Sequence, residues 1–231
     1  MEYRVLGKTG LKVSRMGFGG IPIQRIDAAG TKVLIRKLLK SGVNYIDTAY
    51  PYHDGESEIV VGNIIKKYDR SSFFLATKLP VWFVKSVEDV DRLFQEQLTK
   101  LQTDYIDFYL LHAMNKERWD EMLALGCVER LEQLKEEGKI KYLGFSFHDD
   151  YEVFEEMILY MDWDFAQIQL NYMDVDVVNL MKQLRLEMED KIADSDLVFR
   201  WNLPEEKVIL CLDGQRTYRI FENLLSNALK Y

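Results

Sequence analysis

Four polar residues in the first half of the sequence could together carry out proton transfer. Asp47 follows a short apolar run, and Tyr52 lies five residues later. Lys78 and His112 each end a later apolar run that is rich in β-forming residues. In parallel α/β proteins the functional side chains gather at the C-terminal ends of strands. We therefore expect the four residues to form one site.

Each of these residues also has a purely structural explanation. Asp47 and Lys78 could form an ion pair that ties two strand ends together. Tyr52 could be one of thirteen ordinary tyrosines, and His112 a hydrogen-bonded histidine at a strand end. Tyr50 is predicted to be a pocket wall, because its spacing from Asp47 is three residues and not five. The joint order of the four residues favours the functional explanation.

Composition excludes several classes of protein. The 231 residues carry 38 acidic and 30 basic side chains, a formal net charge of −8. Nucleic-acid binding is not expected, because it requires a basic surface. The two cysteines, Cys127 and Cys211, are far apart, and no metal site is predicted. Without a long apolar run or a signal peptide, we expect no membrane span and a cytoplasmic location.

The hydrophobic pattern alternates between strand and helix after an N-terminal hairpin at residues 3–14. Gly42, Gly126 and Gly138 mark predicted helix ends or breaks. About six βα repeats with short loops indicate a parallel α/β architecture. The predicted strands lie near residues 17–20, 43–47, 73–77, 105–111, 141–146 and 164–171. The predicted helices span residues 31–40, 56–67, 86–101, 116–137 and 151–157.

Several motifs in the right order resemble the aldo-keto reductase family. These are Asp-Thr-Ala-x-x-Tyr at 47–52, Ala-Thr-Lys at 76–78, Leu-Leu-His at 110–112, and Gly-Phe-Ser at 144–146 followed by Ala-Gln-Ile at 166–168. The resemblance covers residues 1–173. It implies a TIM-type (β/α)₈ barrel that reduces a small aldehyde or ketone with NADPH.

The resemblance also implies a role for each of the four residues. Hydride addition to a carbonyl leaves an alkoxide that needs a proton, and Tyr52 would supply it. A phenol with a pKa near 10 is a weak acid at pH 7 unless its anion is stabilised. Lys78 would stabilise that anion, and Asp47 would hold Lys78 charged. His112 would donate a hydrogen bond to the carbonyl oxygen.

Two further residues match positions that contact the cofactor in the family. Ser146 and Gln167 correspond to the side chains that hold the nicotinamide carboxamide. The sequence departs from the family pattern at Phe147, where an Asn is common, and this weakens one nicotinamide contact. His53 and His148 are assigned to loops, and His53 is a candidate for the substrate pocket.

The barrel pattern stops after Met173. A complete barrel has eight βα units, and the later ones supply much of the cofactor phosphate site in the family. We therefore predict an incomplete TIM-type barrel and weak or lost NADPH binding. Residues 174–231 are predicted to form a second, small α/β domain with a helix at 176–190, a β-hairpin at 197–212 and a final helix.

The end of the chain resembles a different family. The segment 222–231 is similar to the N box of sensor histidine kinase ATP-binding domains, which makes residues 174–231 a kinase-like fragment. In that family Asn227 would coordinate the magnesium of ATP, and Asn223 and Lys230 would lie near the phosphates. The alternative is a plain amphipathic helix. No glycine-rich lid follows, so Mg-ATP binding, hydrolysis and autophosphorylation are not expected.

Three functions follow from this pattern: a carbonyl reductase with an assembled tetrad, a nucleotide-binding signalling module, or an inactive chimera of the two families. A sheet of six strands leaves two open edges, through which a protein can self-associate. The segment 176–212 is the material available to cover an edge. We expect it either to pack against the open side or to form a separate small lobe.

Overall fold

The computed structural model forms two compact units, residues 1–168 and residues 169–231. The structure describes residues 1–20, 27–168, 174–176, 182 and 209–211. Within these residues, none of the helices combines the length and the apolar character that a membrane crossing requires. The first unit contains all four residues predicted to form the site.

The first unit is built on a parallel sheet of six strands whose order in the sheet is their order in the chain. Its strands are β3 (Phe18–Gly19), β4 (Tyr45–Asp47), β5 (Phe74–Leu79), β6 (Ile106–Met114), β7 (Ile140–Phe147) and β8 (Phe165–Ile168). The helices are α1 (Ala28–Lys40), α2 (Ser57–Ile65), α3 (Glu88–Leu101), α4 (Lys116–Ala124), α5 (Cys127–Glu136) and α6 (Tyr151–Tyr160). The predicted succession of βα units is confirmed.

Local sequence signals set the ends of these helices. Asp27 and Asn115 cap α1 and α4, and their side chains accept hydrogen bonds from the backbone N–H groups of Gly30 and Arg118. Gly126 separates α4 from α5 with a φ of 68°, a conformation that glycine adopts without steric cost. The predicted break in the 116–137 helical segment is therefore confirmed.

The sheet is curled into a half-barrel. Gln167 on β8 donates a hydrogen bond of 3.2 Å to the carboxylate of Asp47 on β4. These two strands are four positions apart in the sheet, which would separate them by about 19 Å if the sheet were flat. The curl brings their inward-facing side chains together, as in an incomplete TIM-type barrel.

Apolar residues cover both faces of the curled sheet. The outer face packs against the helices and forms the larger core. The inner face holds a smaller cluster around Phe108, which contacts the rings of Tyr45 and Phe165 at centroid distances of 5.3 and 5.1 Å. The N-terminal hairpin, β1 (Tyr3–Val5) and β2 (Lys12–Ser14), adds Leu6, Leu11 and Val13 to this inner cluster.

Helices α2 and α3 approach each other closely at Gly62. A Cβ atom at this position would lie 2.3 Å from the carbonyl oxygen of Lys100 and 2.8 Å from the backbone of Leu101. Only glycine lets the two backbones come this near without a shift. The contact matters because α2 and α3 carry the two polar side chains, Glu58 and Gln97, that pack behind β5.

The second unit is described at two short strands and one helical residue. Strand β9 (Asp174–Asp176) pairs in antiparallel fashion with β10 (Ile209–Cys211). Asp176 was predicted to begin a helix, and this is wrong, because its backbone pairs with Ile209. Lys182 is helical, as predicted. The hairpin strand predicted at 197–203 and the residues Asn223, Asn227 and Lys230 lie outside the described residues.

Candidate active site

A buried ion pair lies at the centre of the site. The ammonium of Lys78 donates hydrogen bonds to Asp47 Oδ1 at 2.7 Å and to the carbonyl oxygen of Thr48 at 2.9 Å. Lys78 is 2% exposed, so water screens this pair poorly. Strands β4 and β5 pair directly, and both side chains point to the inner face at the C-terminal ends of the strands.

Tyr52 lies beside this ion pair. Its ring centroid is 4.9 Å from the Lys78 ammonium nitrogen. The turn that follows β4 places it there, and the Tyr52 backbone N–H donates to the carbonyl oxygen of Ala49 at 3.1 Å. The turn therefore places the predicted proton donor next to the ammonium group of the ion pair.

His112 completes the group on the other side of Tyr52. The two rings meet edge to face with centroids 5.7 Å apart, and Trp82 packs against His112 at 5.1 Å. Burial, with the positive charges of Lys78, His148 and Arg118, lowers the pKa of His112 from 6.5 to about 3. The imidazole is consequently neutral at physiological pH. It keeps one N–H donor, which is what a carbonyl oxygen requires.

The Nδ1 atom of His112 is buried and has no hydrogen-bond partner in the described part of the chain. A buried polar nitrogen without a partner carries a free-energy cost. A substrate oxygen that entered beside the imidazole would be held by a neutral donor in apolar surroundings. The structure thus brings Asp47, Tyr52, Lys78 and His112 together, as the sequence predicted, while their catalytic roles remain predictions.

The two residues assigned to the nicotinamide already contact protein groups. Gln167 donates to Asp47 Oδ2 at 3.2 Å, on the side of the carboxylate away from Lys78. The Ser146 hydroxyl accepts a hydrogen bond of 2.7 Å from the backbone N–H of Ala113. The two residues pair across β7 and β8, and Gln167 is the one that contacts the ion pair. Phe147, where the family pattern commonly has an Asn, is buried on the outer side of β7.

A cleft of about 510 Å³ adjoins the ion pair, a volume in the usual range for small-molecule sites. The Gln167 amide in its wall supplies the donor and the acceptor that a carboxamide would need. The cleft is lined by Leu6, Val13, Ser14, Arg15, Gly17, Phe18, Gly19, Tyr45, Asp47, Phe165, Ala166, Gln167 and Ile168.

The remaining polar candidates lie outside the tetrad. The Tyr50 hydroxyl donates to Glu96 at 3.0 Å, so it does not compete with Tyr52 as the acid. His53 is half-buried with a φ of 55°, and His148 is exposed. Within the described ranges, no three His, Cys, Asp or Glu side chains are placed to hold a metal ion.

Sequence reasoning missed two residues that belong to this region. Trp82 packs its ring on His112, and the Arg118 guanidinium lies 5.3 Å from the centre of the Trp82 ring. Trp82 lies four residues beyond Lys78, just past the end of β5, and this position is a usable signal. Arg118 lies on the first turns of α4, and only the three-dimensional packing reveals its contact.

Comparison with known proteins agrees with this geometry. The model of the "Aldo/keto reductase family" matches residues 15–187. The chain belongs to this family. It is 34% identical to L-galactose dehydrogenase of Arabidopsis thaliana over 159 residues, which are 63% of this chain and 48% of that protein. It is 30% identical to the NADH-specific methylglyoxal reductase of Escherichia coli over 92% of this chain and 70% of that protein.

Solved structures of aldo-keto reductases are also similar. One, from Bacillus halodurans in its holo form, matches with a TM-score of 0.67 and 27% identity over 96% of this chain and 76% of that chain. Another, from Klebsiella pneumoniae in complex with NADPH, matches with a TM-score of 0.62 and 28% identity over 82% of this chain and 64% of that chain.

These matches bear on the predicted change of family after residue 173. The family model extends to residue 187, and the alignment with the Escherichia coli reductase spans 92% of the chain. They give no support to a kinase-like segment. The chain spans about half the length of the L-galactose dehydrogenase that it matches.

Proposed function

We propose that the protein is an NADPH-dependent carbonyl reductase that converts a small aldehyde or ketone to its alcohol. The observation that carries the proposal is the position of the Lys78 ammonium, which touches Asp47 and lies 4.9 Å from the centre of the Tyr52 ring. The same arrangement could serve a structural ion pair. Membership of the reductase family and the neutral His112 beside Tyr52 favour catalysis.

In the proposed reaction a reduced nicotinamide, when bound, would supply hydride to the carbonyl carbon. Tyr52 donates its proton to the carbonyl oxygen as negative charge develops there. The Lys78 ammonium stabilises the resulting phenolate, and Asp47 holds Lys78 in place through their ion pair. His112 holds the carbonyl oxygen with its N–H and so orients the carbon towards the hydride donor. Trp82 and Phe83 provide apolar surface near the site.

For the cofactor we propose NADPH, with Ser146 and Gln167 on its nicotinamide side. The similar Klebsiella pneumoniae structure contains NADPH, whereas the name of the Escherichia coli relative specifies NADH. Titration with NADPH and NADH in parallel decides between the two.

We propose a reductase segment at residues 1–173 with residues 174–231 as a second domain, while the family model continues past this boundary to residue 187. The kinase-type nucleotide site at Asn223, Asn227 and Lys230 is not part of the proposal, because none of the observations described above favours it. The substrate is assigned only by class. An aldehyde or ketone whose carbonyl oxygen can reach both Tyr52 and His112 meets the chemical requirement.

The test is replacement of the tyrosine hydroxyl. Tyr52→Phe should lower the turnover of NADPH with a small aldehyde by about a hundredfold or more, because a positioned proton donor contributes roughly 10²–10⁴-fold. Tyr105→Phe is the matched control, since Tyr105 stacks on Arg70 before β6 begins, away from the site. Equal turnover in the wild type and Tyr52→Phe would mean that another group supplies the proton.

A further inference from the structure

The residue that follows His112 has an unusual backbone. Ala113 has a φ of 53°, and the pairing of β6 with β7 shifts register between Leu111 and Met114. A residue with a Cβ atom rarely adopts positive φ, and it does so where the surrounding structure enforces it. The direction of the His112 side chain depends on this irregularity, because it lies directly before it.

Two side chains fix the peptide groups on either side of Ala113. The Ser146 hydroxyl accepts a hydrogen bond of 2.7 Å from the Ala113 N–H. The Arg118 guanidinium donates to the Ala113 carbonyl oxygen. These contacts satisfy the donor and the acceptor that the register shift removes from the regular ladder. Ser146 is therefore engaged in holding β6, whatever it contributes to a cofactor.

Arg118 also contacts a side chain that lines the site. Its guanidinium lies 5.3 Å from the centre of the Trp82 ring, and Trp82 lies 5.1 Å from the His112 ring. The backbone N–H of Arg118 donates to the Asn115 side chain that caps α4, which fixes where the guanidinium starts. Arg118 thus touches both the backbone beside His112 and the ring that packs on it.

We propose that Arg118 is a positioning residue that sets the orientation of the His112 imidazole through Ala113 and Trp82. The inference rests on the proposed function, because it concerns the orientation of the group that holds the carbonyl oxygen. Arg118 does not touch the reacting atoms. It acts by restricting two motions, the rotation of the peptide group between Ala113 and Met114 and the movement of the Trp82 ring.

The charges around His112 fit this role. Lys78 faces it from β5, Arg118 from α4 and His148 from the segment after β7, while Tyr52 contributes an uncharged ring. Asp47 is paired with Lys78 and partly offsets its charge. The three basic groups and burial favour a neutral imidazole. Loss of Arg118 would remove one of these charges and free the Trp82 ring at the same time.

The test compares the ring resonances of His112 in the full-length protein, observed by NMR with labelled histidine. The aromatic rings of Trp82 and Tyr52 shift these lines in the wild type. In Arg118→Met we expect the lines to move towards the positions of a free imidazole and to broaden. Arg118→Lys keeps the charge but lacks the planar guanidinium group. We expect this variant to shift the His112 resonances only part of the way. Arg92→Met, at an exposed ion pair on α3, is the control.

A kinetic measurement accompanies the spectra. In Arg118→Met, kcat/KM for the aldehyde should fall on the order of tenfold or more, because small displacements of a positioning group are costly. The affinity for NADPH should stay unchanged. Identical His112 resonances in the wild type and Arg118→Met would overturn the proposal. The resonance comparison needs no turnover, so it decides the role of Arg118 even if the proposed reductase activity is absent.

Discussion

Neighbouring residues of β5 place buried polar groups on opposite faces of the sheet. Lys78 points inward to Asp47, while Thr77 points outward and donates to Glu58 at 2.6 Å. The outer group continues through Gln97, which donates to Glu58 at 2.7 Å and accepts from Tyr109 at 2.6 Å. Lys78 and the members of the outer group are almost completely buried, whereas Asp47 is partly exposed. Their chemistry nevertheless differs.

The difference is whether the buried group keeps its charge. The Lys78 ammonium has a carboxylate partner, so the inner face holds an ion pair. Glu58 has hydroxyl and amide partners, and burial raises its pKa. Its Oε2 atom has no hydrogen-bond partner in the part of the chain that the structure describes. The fold therefore keeps a charge where the proposed reaction needs one and favours a neutral carboxyl group where it does not.

Among the variants that test this comparison, Asp47→Asn is expected to have the largest effect on stability. The change leaves the Lys78 ammonium buried without a countercharge, and breaking a buried pair from one side costs about 3–5 kcal/mol. We expect the free energy of unfolding, measured by urea denaturation, to fall by that amount. The double variant Asp47→Asn with Lys78→Met should recover much of the loss. Equal destabilisation of both variants would mean that the charge is not the cause.

A smaller effect is expected from Gly62→Ala, which acts on the outer face alone. The new Cβ atom would force α2 from α3 and so separate Glu58 from Gln97. Overpacking of this kind costs about 1–3 kcal/mol, and the better helix propensity of alanine offsets up to about 1 kcal/mol. The control is Gly19→Ala, where no described atom lies within 4 Å of the added Cβ. Stability equal to the control would contradict the close approach.

The smallest effect concerns Glu58→Gln and its dependence on pH. A carboxyl group with a raised pKa stabilises the fold below its unfolded value of 4.5, and this contribution is lost as pH rises through the folded pKa. The amide cannot ionise. The stability of the variant relative to that of the wild type should therefore increase as the pH is raised from 4 to 8. Thermal unfolding across that range measures the difference. A constant difference would mean that Glu58 does not titrate on unfolding.

His112 contributes a pH dependence of stability that is opposite in sign to that of Glu58, and the same experiment can detect it. Its pKa is lowered from 6.5 to about 3, so its contribution is complete above pH 6.5 and is lost as pH falls towards 3. In the wild type the pH-dependent contributions of Glu58 and His112 to stability partly cancel between pH 4.5 and 6.5. Glu58→Gln removes one of them, which should leave a stability that rises with pH in this window.

The sequence predicted the location of the inner ion pair and not that of the outer network. Asp47, Lys78 and His112 follow apolar runs, and parallel strands bring such positions to one edge, so periodicity was sufficient. The contact of Glu58 with Gln97 joins two helices. It depends on the distance that Gly62 permits between α2 and α3, which no local pattern encodes.

Two further features escaped prediction for the same reason. The pairing of Asp174–Asp176 with Ile209–Cys211 joins segments that are far apart in the chain, and the local apolar spacing at 176–190 favoured a helix. The hydrogen bond between Ser146 and Ala113 depends on a register shift in β6. A register shift arises from tertiary packing, so the motif around Ser146 suggested only a cofactor contact.

The strand order of the first unit bears on how the chain can fold during its synthesis. Each strand from β4 to β8 pairs with the strand that emerged just before it, so each of these strands meets a preformed edge. The Lys78–Asp47 pair joins residues 31 apart and can form early. The bond from Gln167 to Asp47 spans 120 residues and can form only after β8 has left the ribosome. The curl that closes around the site is therefore among the last features to form.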